Sequence, residues 1–532
     1  MDGQSWFDGQ VSSTRRRPGY RLVFGSAGVL CVLLMAGVAA AGDSAAVPGL
    51  GAATWHPSWD LDLGLSSGLV SVMLVVAAAL GATAVVAGLL AVRSSSFSLS
   101  PRNVSIAAVS AVVLLTALPP LGSADHLSYL AYGRIAAAGD DPYVVDPSTW
   151  RDGTDPVASA VQPPWQHTTS VYGPVSTAVQ ALAAWAGGGS LRLSVWFWQI
   201  LCGLAFLLVA FTLDRITRDD PRARARTWVL WTLNPLLLGQ VVLGGHLDVI
   251  SVAFAIGAIA LAARRPVAAG VLIGAAVGSK ITFGLFALAI LWGLRRRPLP
   301  QLARHIGVMT LAGLAVLVPA HLWSGPHTYD LLHKASRQVS LAAPWRLLTD
   351  QLDPVFGGSV RDVVAPVAMG LGALLVLLLL RRLRDHPTGV GTGEETASMA
   401  RAAFALATGW LLMTPYSLPW YDSMVWAPLA LLAPTLLDGA LLARLLVLVL
   451  AYVPGRVVGM SVQVEDISLG FRKSVAPWLE LAVVITVVVW TCLHWNDFRW
   501  WSRSRGSIMT DDEELASPSP SVGQRFDVGS TD

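Results

Sequence analysis

Long apolar runs alternate with short polar ones along nearly the whole chain. The runs 22–41, 69–92, 104–121, 192–213, 305–322, 363–380 and 478–494 each approach twenty residues, the length that crosses a hydrocarbon core. Shorter apolar runs lie at 228–243, 249–263, 402–415, 424–437 and 445–453. Residues 266–294 are apolar, with basic clusters at both ends, Arg264-Arg265 and Arg295-Arg296-Arg297. A single span would put one cluster on the outer side, against the positive-inside rule. Two short helices meeting at Gly278-Ser279-Lys280 satisfy it, and such a break is tolerated where it lines a wet cavity. The pattern therefore predicts an all-α polytopic membrane protein, a bundle of about fourteen transmembrane helices with both termini inside.

Two polar stretches are too long to be turns. Residues 122–190 carry six Asp against two Arg, and 323–361 carry Lys334, Arg337 and Arg346. Within the first, 126–138 predicts a short helix on the membrane surface, broken by Gly139-Asp140-Asp141-Pro142. The apolar 175–186 predicts another interfacial helix. Counting it as a span would put the Arg-rich 214–226, five Arg against three Asp, outside. The domain reading is a cytoplasmic tail at 1–21, a transmembrane unit at 22–495 and an acidic, Ser/Pro-rich disordered tail at 506–532. The run 22–41 is too long for a typical signal peptide and is expected to stay as the first span.

Composition narrows the class. The chain is 54% hydrophobic and 13% charged, against about 25% charged in a soluble domain. The net charge of +3 is sorted by side, so no nucleic-acid partner is expected. Cys31, Cys202 and Cys492 all lie in apolar runs, which leaves no disulfide framework or cysteine zinc site. Many of the 21 Trp sit near span ends, as an interfacial belt does.

Candidate chemistry begins at Asp125, where a span leaves the membrane under the 122–190 loop. A helix-end carboxylate is ordinarily solvated among headgroups. Here Tyr129, Tyr132 and Arg134 follow at helical spacing, and the loop can roof a cavity. A general base needs a carboxylate partly screened from water beside the group it deprotonates. Lys280 lies between two apolar half-helices; it either snorkels or holds an anion. His246 and Asp248 are two apart on an outer turn, too thin a set for a metal; no metal or other cofactor is expected. Tyr143, Trp165, Tyr172, Trp420 and Tyr421 offer faces to a sugar, although interfacial anchoring explains such residues equally well.

These motifs fall in a recognisable order. Asp125, Ser128-Tyr129, Gly133-Arg134, Asp141-Pro142-Tyr143, Trp165 and Tyr172-Gly173-Pro174 are followed by Asn234-Pro235, Gly244-Gly245-His246 with Asp248, a Gly-rich helix ending at Lys280, and Pro419-Trp420-Tyr421. The ordered set resembles the actinobacterial polyprenol-phosphomannose-dependent α-1,6-mannopyranosyltransferases, within the GT-C class of membrane glycosyltransferases. The turn after the glycine pair reads His-Leu-Asp, one residue shorter than the family's usual Ala-His-Asn-Asp. The resemblance implies a GT-C-like bundle at the cytoplasmic membrane with an extracytoplasmic site. It implies inverting transfer of mannose from polyprenyl-phosphate mannose to a mannan or glycolipid acceptor of the cell envelope. Asp125 would be the base, and Lys280 and Arg134 would hold the donor phosphate. Tyr129, Tyr132, Tyr143, Trp165, Tyr172, His246, Asp248, Trp420 and Tyr421 would line the substrates. The alternatives are another sugar on the same lipid carrier, such as arabinofuranose, or a lipid or sugar transporter.

Overall fold

The computed structural model describes residues 19–52, 54–97, 99–383, 393–456 and 458–493. The 506–532 tail, Arg384 and most of the 1–21 tail lie outside them, as does the side chain of Lys334. All regular structure among the described residues is helical. Among the described residues six helices are long and apolar enough to cross a membrane, or seven if the bent pair Pro221–Leu243 and Asp248–Ala262 is one span. The chain is a multi-pass membrane protein. The expected count of about fourteen is not confirmed; three further apolar helices among the described residues are shorter than a bilayer, Pro101–Thr116, Pro266–Ser279 and Ile281–Leu294.

The breaks are written locally. Ser66, Ser100 and Ser190 cap helix starts through their side-chain oxygens. The Pro221–Leu243 segment is interrupted at Asn234-Pro235. Buried Asn234 accepts from the N–H groups of Leu236 and Leu237 and donates to the Leu230 carbonyl at 3.1 Å. The side chain thus re-satisfies backbone that Pro235 frees inside an apolar environment. The chain then turns through 119° at residues 244–247 before Asp248–Ala262. The expected break at Lys280 is present, with Lys280 extended between Pro266–Ser279 and Ile281–Phe283.

Gly270, Gly274 and Gly278 form a stripe at four-residue spacing. A Cβ on Gly270 would stand 2.3 Å from the Met309 carbonyl oxygen, and one on Gly274 2.7 Å from that of Gly313. The stripe lets the Leu299–Ser324 helix lie backbone to backbone, the small-residue packing that associates helices in lipid. At its end the Tyr172-Gly173-Pro174 segment docks: Gly173 N–H donates to the Ser279 carbonyl at 3.1 Å. That contact seats the 122–190 loop against the Lys280 break.

The loop itself is packed. Its first helix is Asp125–Ala137, and ten of its thirteen residues are buried. The expected surface helix is therefore enclosed, with Gly133 pressed against the Gln180 backbone of the Pro174–Gly187 helix. Ala131, Ile135, Trp150, Ala158 and Val161 form a small core of their own. The second loop holds a helix the pattern left undivided, Trp345–Phe356.

Three ion pairs mark one end of the bundle. Arg226 clamps Asp438 with two bonds of 2.6 and 2.7 Å, Arg224 holds Asp214, and Arg297 holds Glu395. Asp125, the 244–247 turn, Lys280 and the 416–422 turn lie at the opposite helix ends.

Candidate active site

Asp125 opens its helix, and the approach to it is tightly threaded. Leu121 N–H donates to the Leu243 carbonyl, and Gly122 N–H to that of Ala46. Gly455, at φ +124°, fits where a Cβ would meet the Gly122 carbonyl oxygen at 1.6 Å. The Ser123 hydroxyl then accepts the Asp125 N–H at 3.0 Å. The carboxylate ends up 21% exposed, screened but reachable. Burial pushes its pKa up to about 6. The Asp248 carboxylate adds to the rise, while the Ser123 and Tyr129 hydroxyls and the Lys280 ammonium oppose it.

Three distant segments meet around this acid. The Trp198 indole donates to the Gly245 carbonyl at 2.6 Å and holds the 244–247 turn. The turn places His246 with its Nδ1 4.0 Å from an Asp125 carboxylate oxygen. The imidazole is sandwiched flat on Trp420, with centroids 3.6 Å apart and planes 9° apart. Lys280 Nζ reaches Asp248 at 2.8 Å and sits 3.5 Å over the Tyr421 ring. It is therefore fixed by an ion pair and a cation–π contact together. Asp248 heads its helix, where the dipole favours an anion.

Tyrosines wall the site. Tyr129 packs edge-on to Tyr172 at 5.1 Å and against Trp198 at 5.4 Å, and Tyr132 lies 6.3 Å from Tyr172. Burial raises the phenol pKa values of Tyr129, Tyr132, Tyr172, Tyr416, Tyr421 and Tyr452, and the Asp125 carboxylate adds to each shift. Six of the nine tyrosines thus surround one acid. Such a cluster brings together aromatic rings, a carboxylate for a proton and an ammonium for an anion.

The structure brings Asp125, Tyr129, Tyr132, Tyr172, His246, Asp248, Lys280, Trp420 and Tyr421 together. It places three expected residues elsewhere. Arg134 pairs with Asp155 at 3.2 Å in the loop, nine residues and about 14 Å of helix rise from Asp125. Tyr143 shares a 2.8 Å bond with Thr177, and Trp165 packs on the loop core. Arg337 and Arg346 pair with Asp362 and Asp350. Tyr416, Tyr452 and Trp198 are members the sequence reading passed over; only proximity to the Pro419-Trp420-Tyr421 motif could have marked Tyr416. A cavity of about 590 Å³ lies at the charged end instead, between Arg215, Arg218, Arg264 and Glu394–Thr396. Along the Asp248–Ala262 helix it is about 20 Å from Asp248, so the site is defined by its converging side chains, not by this volume.

The family model described as "Alpha-(1->6)-mannopyranosyltransferase, N-terminal domain" matches residues 22–296, just over half of the chain. The chain is 23% identical to alpha-(1->6)-mannopyranosyltransferase A of Corynebacterium glutamicum over 58% of its own length and 67% of the relative's. It is 26% identical to alpha-(1->6)-mannopyranosyltransferase B of the same organism over 64% and 60%. With alpha-(1->6)-mannopyranosyltransferase A of Mycobacterium tuberculosis it shares 31% identity over 32% of its length and 33% of the relative's. Among solved structures, ArnT from Cupriavidus metallidurans bound to undecaprenyl phosphate is 14% identical, with 74% of this chain and 76% of that one covered, at a TM-score of 0.37. A likeness at that level carries no argument here. The family model spans every motif from Asp125 to Lys280, and the chain belongs to the alpha-(1->6)-mannopyranosyltransferase family.

Proposed function

We propose that this chain is an inverting mannosyltransferase with a GT-C-like bundle, acting at the extracytoplasmic face of the cytoplasmic membrane. The donor is polyprenyl-phosphate mannose. The acceptor is a mannan or glycolipid of the cell envelope, extended through an α-1,6 linkage. One observation carries the reading: a screened carboxylate, Asp125, and a fixed ammonium, Lys280, converge within one tyrosine-rich cluster in a chain of this family.

The chemistry is a single displacement. Asp125 takes the proton of the acceptor hydroxyl as its oxygen forms a bond to C1 of mannose. The bond from C1 to the phosphate oxygen breaks, and its electron pair leaves with the polyprenyl phosphate. Lys280 meets the charge that grows on that phosphate. Attack opposite the leaving group converts a β-linked donor into an α-linked product. The flat faces of Tyr129, Tyr132, Tyr172, Trp420 and Tyr421 exclude water and hold the sugars. The carrier supplies the activated sugar, so no cofactor enters any step.

The test is transfer by purified full-length protein in detergent, with radiolabelled polyprenyl-phosphate mannose and a panel of mannan and glycolipid acceptors. The expected product carries a new α-1,6-linked mannose. Transfer of arabinose from the corresponding arabinofuranosyl lipid, with none of mannose, replaces the donor; no transfer of either removes the reading.

Sidedness has its own test. The 122–190 loop is net negative by six Asp against two Arg, and 214–226 net positive by five Arg against three Asp, which assigns the first outside and the second inside. Thr149 and Asp219 are exposed, whereas Thr217 is buried and would not label. In a background without Cys492, an impermeant thiol reagent on intact cells is expected to modify Thr149→Cys and leave Asp219→Cys unmodified. The reverse pattern overturns the outer placement of the site.

A further inference from the structure

To line the site, Trp420 and Tyr421 must be held in place. They lie on the turn between the Glu394–Met413 and Ser423–Leu429 helices, and both ends of that turn are tied to one buried guanidinium. Arg444, in the middle of the Leu437–Ala451 helix, donates to the Ser417 hydroxyl at 2.6 Å. Its Nε forms an ion pair at 3.3 Å with an Asp422 carboxylate oxygen, without hydrogen-bond alignment, and its Nη1 bonds Glu480 of the Ala476–Cys492 helix. The side chains of Arg444, Asp422 and Glu480 are 3%, 0% and 1% exposed.

Such a cluster is a poor way to gain stability. Withdrawing an arginine and two carboxylates from water costs several kcal/mol per ion, and an apolar replacement would often serve as well or better. Charges inside a membrane bundle are correspondingly rare and tend to mark function. What apolar packing cannot do is grip three segments at set angles, as a planar five-donor fork does. Ser417 and Asp422 bracket the two aromatic residues. Trp420 covers His246 at 3.6 Å, and Tyr421 lies under Lys280 at 3.5 Å.

We propose that Arg444 is a positioning residue, clamping both ends of the 417–422 turn so that Trp420 is held on His246 and Tyr421 under Lys280. Glu480 braces the guanidinium from the neighbouring helix. Arg444 touches no substrate and acts through the two aromatic side chains.

The test uses the full-length protein and two variants. Arg444→Lys keeps the charge but cannot span the three partners. Ser417→Ala releases one end of the turn with a smaller change and serves if the lysine variant does not insert. The first readout needs no substrate: modification of histidines by diethyl pyrocarbonate, mapped by mass spectrometry. His246 is 1% exposed and His126 0%, so both are protected in the parent protein. The expected result is His246 modified about tenfold faster or more in the variants, with His126 still protected. The second readout is turnover, expected to fall about tenfold or more, since misplacement by about 1 Å can cost 10²-fold. Combined with Trp420→Ala, Arg444→Lys is expected to add little further loss, because both changes act through one contact. Unchanged His246 protection, equal labelling of His126, or fully additive losses overturn the proposal. If no sugar transfer is found for any form, the labelling still decides it.

Discussion

Asp125→Asn is expected to insert at normal levels, keep its affinity for the donor lipid and lose turnover by about 10² to 10⁴-fold, the usual contribution of a positioned acid or base. The fold is expected to be spared because the bond from the Asp125 backbone N–H to the Ser123 hydroxyl, which ties the helix start, is untouched by the substitution. The amide keeps the shape but cannot take the acceptor's proton. Asp125→Glu is expected to be poor as well, since a shift of about 1 Å is costly in a fixed geometry. A solvated helix-end carboxylate makes the opposite forecast: Asn would be nearly silent, within about 0.5 kcal/mol. The pH profile offers an independent check. Burial has raised the carboxyl to about 6, and only its ionised form is a base. In the parent protein kcat/KM is expected to climb about tenfold per unit below pH 6 and to level off above it. The residual activity of Asp125→Asn is expected to be flat through that window. A variant that stays in the membrane, binds donor and transfers at the parental rate would sink the mechanism.

Removing the Lys280 ammonium is expected to cost about 10²-fold or more in turnover, by the magnitude of one lost electrostatic stabiliser. The structure changes how this is best measured. Lys280 is the partner of Asp248 at 2.8 Å, and that acid is 7% exposed. Lys280→Ala alone strands a buried carboxylate, which destabilises by about 3 to 5 kcal/mol when such a pair is broken. Lys280→Ala with Asp248→Asn removes both charges and is expected to unfold near the parental temperature while turnover stays low. Parental turnover in the double variant, at matched expression, takes Lys280 out of the site.

Much of this site was legible one segment at a time. Helix starts and breaks are written in neighbours: the break at Lys280 in its flanking basic clusters, and the helix at Asp125 in the Gly139-Asp140-Asp141-Pro142 stop. What the chain pattern does not carry is which segments meet. Lys280 and Asp248 are 32 residues apart, and His246 stacks on Trp420 from a different helix–turn unit. Arg134 illustrates the converse. Its charge and the family resemblance suggested a phosphate ligand, and in the folded loop it pairs with Asp155.

The physical reason lies in the solvent. In water a buried face and an exposed face differ in polarity, so helical period reports burial. In a bilayer lipid tails are as apolar as leucine, and both faces read alike. In the most apolar 18-residue stretch of each, 11% of the residues of Leu299–Ser324 are buried but 56% of those of Leu191–Thr217, though both are simply apolar in sequence. The sequence by itself therefore determined that the chain is a helical membrane protein, where its helices break, and that Asp125 and Lys280 stand at breaks. Packing through close glycine contacts and buried polar contacts, such as the Arg444 bond to Ser417 and its ion pair with Asp422, decided that these residues come together.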